Sequence, residues 1–214
     1  MIMKILVTGF EPWHDEINPS WEVVRGLPDE ICGASVHKAL LRVVAKDAEE
    51  VLTRLIDELR PDAIISLGQS GRRQAVEFER IAVNVDDYRI EDGDGNIVSD
   101  RPIKEGWEDG ILTTLPIRDM AKACEQAGVP AAISYTAGTH LCNHVMYFVL
   151  GYCRRNNIDA LCGFIHVPLD ISQCVGRQNR SFMDIELARR GVVAALEVVA
   201  NKLNDGGKYG TCAR

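Results

Sequence analysis

Asp47-Ala-Glu-Glu-Val51-Leu52-Thr-Arg-Leu55-Ile56-Asp-Glu-Leu59-Arg60-Pro61-Asp62-Ala63-Ile-Ile-Ser-Leu67 is the stretch that decides the fold class. Val51, Leu52, Leu55, Ile56 and Leu59 recur at helical spacing on one face, which predicts a helix over 47–60. Ala63 to Leu67 then reads as a short buried strand. An amphipathic helix feeding a continuous apolar strand is the unit of a mostly parallel sheet with helices packed on it.

The same rhythm extends outward in both directions. Toward the N-terminus, Lys4 to Thr8 is an apolar strand, and the loop that follows places residues 9–18 at the carboxyl edge of the sheet. That edge is where open α/β sheets hold ligands. Asn18-Pro19 starts a helix through Trp21, Val24 and Leu27 that Pro28 ends, and 36–44 reads as a strand. Toward the C-terminus, Ala75 to Val85 alternates like a half-exposed strand, and Asp92-Gly-Asp-Gly-Asn is a turn that closes a hairpin beside the main sheet. Then come a helix over 117–127, a strand over 131–135, a helix over 142–155, a strand over 160–167 and an amphipathic helix over 181–204. No linker, repeat or charge block divides the chain, so residues 1–214 read as one α/β domain.

Composition narrows the function classes. The chain has 214 residues, 46% of them hydrophobic, enough for one sizeable core. Its formal charge of −7 and its lack of a Lys/Arg run speak against nucleic acid, whose binding needs a basic face. No apolar stretch approaches the roughly 20 residues that span a bilayer, and Met1 to Phe10 lacks the features of a secretion signal. These features predict a soluble cytoplasmic protein without a membrane partner. Cysteines at 32, 124, 142, 153, 162, 174 and 212 make an odd, irregular set, which predicts free thiols and no paired metal site.

Cys142 has the most informative surroundings. It follows Ala137-Gly-Thr-His-Leu141 and precedes an apolar helical run, which puts it at a helix N-terminus. There the unpaired N–H groups and the positive end of the helix dipole stabilise a thiolate and can also cradle the oxyanion of an attacked amide. His166 ends an apolar strand just before Val167-Pro168, at the same sheet edge, so it can serve as the base for the thiol. Glu79, on the face opposite Phe78, is the candidate to orient His166; from pattern alone it is more simply a solvated strand residue.

With these residues assembled, the chain resembles the pyroglutamyl peptidase I (pyrrolidone carboxyl peptidase) family from Lys4 to about Leu203. Four segments carry the likeness: Val7-Thr-Gly-Phe-Glu-Pro12 with Asn18-Pro19; Gly68-Gln-Ser-Gly71 followed by Glu79-Arg80-Ile-Ala-Val-Asn84-Val-Asp-Asp87-Tyr-Arg89-Ile90; Ser134-Tyr-Thr-Ala-Gly-Thr139 with Leu141-Cys142-Asn-His144; and Gly163-Phe-Ile-His166-Val-Pro168. The resemblance implies a three-layer α/β/α sandwich and a Cys142, His166, Glu79 triad that removes an N-terminal 5-oxoproline from peptides. It also implies a homodimer or homotetramer with no metal or cofactor. Carried over by position, Phe10 packs on the lactam ring, the backbones of Gln69 and Leu141 pair with the lactam amide, and Arg89 lies near the oxyanion. Asn18 joins them in the substrate loop. His140 stands where bacterial members commonly have an aromatic residue, and Trp13 replaces a phenylalanine in the first loop; the resemblance leaves both on the pocket wall.

Other readings compete. His140 and His144 flank Cys142, and Cys162 lies four residues before His166, but neither spacing gives a zinc geometry when His140 precedes the helix and 162 and 166 share a strand. The acidic turn at Asp92 lacks the sixth-position Gly and the closing Glu of a calcium loop. A catalytically weak binding module for blocked N-termini is the alternative to an enzyme. A nucleoside-processing enzyme is disfavoured because no Gly-rich phosphate cradle is present.

Overall fold

The computed structural model describes residues 2–206, so Cys212 lies outside the described residues. A seven-stranded sheet in the order β2-β3-β1-β4-β9-β5-β8 forms the middle layer. Its strands are β1 (Lys4–Phe10), β2 (Glu30–Ile31), β3 (Ala34–Leu41), β4 (Ala63–Gln69), β5 (Val76–Glu79), β8 (Ala131–Ser134) and β9 (Leu161–Val167). The central run β3-β1-β4-β9 is parallel; β2 is antiparallel to β3, and β5 is antiparallel to β9 while parallel to β8. This is the mostly parallel α/β sandwich that the sequence predicts.

Alternation along the strands sorts side chains to two cores. Ile5, Val7, Ile65, Leu67, Phe78, Ile165 and Val167 face one layer, made by α1 (Pro19–Arg25), α3 (Ile117–Gln126) and α6 (Ile185–Asn204). Leu6, Ile64, Cys162 and Phe164 face the other, made by α2 (Ala45–Leu59) and α4 (Leu141–Arg155). Leu52 and Ile56, the inward residues of the predicted helical stripe, are fully buried in this second core. Helix α4 is buried along most of its length, so its N-terminus is fixed over the carboxyl ends of β4 and β9.

Several expected boundaries move. The third strand covers Ala34–Leu41 and not 36–44, because Val43 and Val44 already turn into α2, for which Val44 is the N-cap. The first helix stops at Arg25, where Gly26 caps it, ahead of Pro28. The last helix starts at Ile185 and not at 181: the Asp184 carboxylate accepts from the Glu186 and Leu187 amides and fixes the start there. The 75–85 strand is two, β5 and β6 (Ile81–Val83): at Arg80 the backbone passes from β8, whose Ser134 carbonyl accepts its amide, to the segment after β7 (Gly110–Leu112), with which β6 pairs. The side hairpin is therefore β6-β7; the turn at Asp92 lies within their connection, where Asp86 and Arg101 form a single antiparallel bridge.

Candidate active site

Three elements converge at the carboxyl edge of the sheet. Cys142 is the second residue of α4, a 15-residue helix whose N-cap, His140, makes no side-chain cap and whose first turn holds no acid. The first-turn amides are thus not spent on a capping side chain or screened by a local carboxylate. Below the thiol lies Gly68 of β4: a Cβ there would sit 2.8 Å from Cys142 Sγ and 2.8 Å from Phe164 Cζ. Glycine is required by close approach, and its register partner across the β4–β9 ladder is His166. The missing side chain leaves the sulfur its place beside the imidazole.

His166 is 3% exposed and its Nδ1 lies 2.7 Å from Glu79 Oε1. Glu79 is 0% exposed, which corrects the expectation of a solvated strand residue. The reason is the reversed direction of β5. Glu77 is the register partner of His166, so Glu79 lies one pair deeper on the same face and reaches the imidazole diagonally. Arg73 Nη2 reaches the same Oε1 at 3.3 Å and also donates to the Thr136 carbonyl at 2.7 Å, while Glu79 Oε2 is buried without a hydrogen-bond partner. Burial opposes a charge on His166, but the Cys142 sulfur and the Glu79 carboxylate outweigh it and raise the imidazole to about 9. With Nδ1–H donated to Glu79, Nε2 is the nitrogen available to the sulfur.

Cys142 opens on a cavity of about 320 Å³ lined by Phe10, Trp13, Asn18, Gln69, His140 and Leu141, together with residues the sequence did not single out. Phe10 is 3% exposed and supplies an apolar wall. Asn18 lines the cavity, but its side chain caps α1: Oδ1 accepts from Ser20, and Nδ2 donates to the Glu11 carbonyl at 3.0 Å. Trp13 stacks on His140 at 5.3 Å between ring centroids, and the Tyr88 ring meets His140 in a tilted contact at 4.4 Å. Burial lowers the pKa of His140, so it presents a neutral ring, with Nε2 3.2 Å from the Ile90 carbonyl. Arg89, expected beside the oxyanion, is exposed and outside the cavity lining, because Tyr88 takes the inward position on that segment.

The segment after β9 also belongs to the cavity, beyond what the sequence suggests. It contributes Leu169, Arg177 and Arg180 to the lining. Buried Gln173 ties it down: its Nε2 donates to Gln69 Oε1 at 3.0 Å and to Asp15 Oδ2 at 3.1 Å. Arg177 pairs with Asp15 at 2.6 Å. The Asp170-Ile-Ser-Gln173 capping box on the short helix α5 (Ile171–Cys174) was the sequence signal that could have revealed this segment. Among the described residues, no group of three or more His, Cys, Asp or Glu side chains could hold a metal ion, and no helix is long and apolar enough to cross a membrane.

Comparison with known proteins meets this geometry. A family profile described as pyroglutamyl peptidase matches residues 3–202. The pyrrolidone-carboxylate peptidase of Thermococcus onnurineus is 45% identical over 198 residues, covering 92% of this chain and 96% of the relative. That of Alkaliphilus oremlandii is 41% identical, with 95% and 96% covered. Among solved structures, Bacillus amyloliquefaciens pyroglutamyl peptidase I superposes with a TM-score of 0.88 at 34% identity, covering 92% of this chain and 95% of that one. Pyrococcus furiosus pyrrolidone carboxyl peptidase superposes with a TM-score of 0.90 at 38% identity, covering 94% and 100%. A thiol over a strand-end glycine, a buried His–Glu pair beside it and full-length similarity of this order lead to one conclusion: the chain belongs to the pyroglutamyl peptidase family.

Proposed function

We propose that this protein is a cysteine exopeptidase that removes an N-terminal pyroglutamyl residue from peptides, with Cys142 as nucleophile, His166 as acid and base, and Glu79 as the group that orients His166. The observation that carries the reading is the buried 2.7 Å bond between His166 and Glu79 beside a sulfur seated over Gly68. The Cys142 thiolate attacks the acyl carbonyl of pyroglutamate, forming a C–S bond as the carbonyl electrons move to oxygen. First-turn amides of α4 face the developing oxyanion. As the carbonyl reforms, the C–N bond breaks and His166 Nε2 gives its proton to the departing amine. A water, deprotonated by the now neutral His166, then attacks the thioester and releases 5-oxoproline and the thiolate.

The lactam is neutral and lacks a free amine, which suits the apolar Phe10, Leu141 and stacked Trp13–His140 wall. The Gln69 and Leu141 backbones, at the end of β4 and the start of α4, are the partners we assign to the lactam amide. A site that hydrogen-bonds the ring carbonyl leaves its donor unpaired when proline enters, so discrimination of about 10⁴-fold is expected. Release of a fluorogenic amine from its pyroglutamyl and prolyl amides tests this. Cleavage of the pyroglutamyl amide alone supports the reading; equal cleavage of both, or of neither under reducing conditions, sinks it. The same reading carries a homodimer or homotetramer in the cytoplasm. Exposed Ile171, Val175 and Phe182, all in the segment after β9, offer apolar surface that association would cover. Sedimentation of the purified protein checks it, and a monomer at micromolar concentration would remove that part.

A further inference from the structure

The two residues after the thiol, Asn143 and His144, are both buried and are directed at different partners. Asn143 behaves as a strand neighbour for β6. Its Oδ1 accepts from the Val83 amide at 2.9 Å, and its Nδ2 donates to the Val83 and Val85 carbonyls at 2.8 and 3.2 Å. These bonds hold the start of α4 on the side hairpin independently of His144.

His144 is 4% exposed, with Nδ1 2.8 Å from Asp86 Oδ2 and Nε2 2.9 Å from Glu49 Oε1. Both acceptors are carboxylates, so both ring nitrogens must carry hydrogen and the ring is an imidazolium. Burial opposes that charge and the two carboxylates override it, raising the pKa of His144. Lys104, from the far end of the β6–β7 connection, binds the other oxygen of Glu49 at 2.6 Å. His144 therefore joins α4, α2 and that connection through alternating charges.

This network reaches the cavity. Asp86 lies two residues before Tyr88, whose ring contacts the His140 ring that stacks on Trp13. Asp86 Oδ1 and the Tyr88 hydroxyl are both buried, and the phenol lies against the Asp86 carboxylate. Burial and the nearby Asp86 charge push the Tyr88 phenol up, so Tyr88 stays neutral. A buried charge network of this kind is a poor device for stability alone, since the desolvation of its members offsets their attraction. It lies where a pocket wall must be held.

We propose that His144 is a positioning residue for substrate binding: shared between Asp86 and Glu49, its imidazolium holds the segment from Asp86 to Ile90 so that Tyr88 keeps His140 against the cavity. Loss of the imidazolium leaves Asp86 as a buried unpaired charge, and the segment relaxes toward water. Because Asn143 still fixes the helix, the wall loosens while Cys142 keeps its place.

The inference rests on the peptidase reading only for the identity of the ligand, and its test separates the two. Wild type, His144→Gln and Asn143→Ala are compared on a pyroglutamyl amide, with affinity for 5-oxoproline measured by calorimetry. For His144→Gln, KM and the 5-oxoproline Kd should rise about tenfold while kcat stays within about twofold; Asn143→Ala should instead lower kcat. Nitrogen NMR of the wild-type ring should show both nitrogens protonated at pH 7.5. If His144→Gln does not fold, Glu49→Gln should raise KM in the same direction by a smaller factor. A neutral His144 ring, a loss confined to kcat, or an unchanged KM in a folded variant overturns the proposal. Absence of turnover in the wild type, with 5-oxoproline still bound more weakly by His144→Gln, would refute the peptidase reading and leave this one standing.

Discussion

Cys142, Glu79 and His166 stand on α4, β5 and β9, whereas most of the wall of the cavity they face comes from outside the long helices and the sheet: residues 13–18, the segment around Ile90, and residues 169–180, with Phe10, Gln69 and Leu141 added from the ends of β1 and β4 and the start of α4. The first set is held by helix and ladder hydrogen bonds with almost no exposure for Glu79 and His166. The second depends on side chains that brace one loop against another, such as Gln173 against Gln69 and Asp15, or Tyr88 against His140. Chemistry and specificity can therefore vary separately. Displacing a group on a regular element should cost turnover, and altering a loop brace should cost affinity.

The largest loss short of the nucleophile itself is expected from Glu79→Gln. The amide no longer fixes the His166 tautomer or supports its charge, and kcat should fall about 10³-fold. In the wild type, the ion pair that includes His166 is favoured below its ordinary pKa and is lost as pH rises through about 9. Activity should therefore decline on the alkaline side near that value, and Glu79→Gln should move the decline to lower pH. A pH profile of kcat/KM with no such movement would break the assignment of Glu79. Gly68→Ala comes next, because its Cβ would meet the Cys142 sulfur and Phe164. A displacement of the thiol by a fraction of an ångström should lower kcat up to about 10²-fold while folding, followed by circular dichroism, persists.

The cavity wall should respond differently. Gln173→Ala removes the brace between Gln69 and Asp15. It should raise KM several-fold, roughly 3 to 10, with kcat nearly kept. The smallest effect is expected from His140→Phe, which replaces one ring by another in contact with Trp13 and Tyr88 and forgoes only the contact with the Ile90 carbonyl. KM should change by less than about threefold. A large kcat loss from either wall variant would erase the distinction between the two regions.

The same contrast explains what was legible in the sequence. Helices α2 and α4 and strands β1, β4 and β9 announce themselves by period and by apolar runs, and the residues at their ends inherit a position from the topology. Cys142 and His166 could therefore be brought to one edge before any coordinates. Glu79 could not, because its burial depends on β5 running against β9, a direction that a four-residue strand does not encode locally. Tyr88, Gln173 and Arg177 carry no periodic signal; their roles follow from which loops meet in space. Arg89 carries no periodic signal either: in an irregular segment, neighbouring residues face opposite ways, and Tyr88 is buried while Arg89 is exposed.

If the Cys142 sulfur is the attacking atom, hydrolysis of a pyroglutamyl amide must collapse in Cys142→Ser when it is matched to wild type for folding and assayed under reducing conditions. The serine hydroxyl keeps the shape but not the thiolate, so kcat should fall at least about 10⁴-fold. A variant that keeps a tenth or more of wild-type turnover would contradict the claim and would require another nucleophile at this sheet edge.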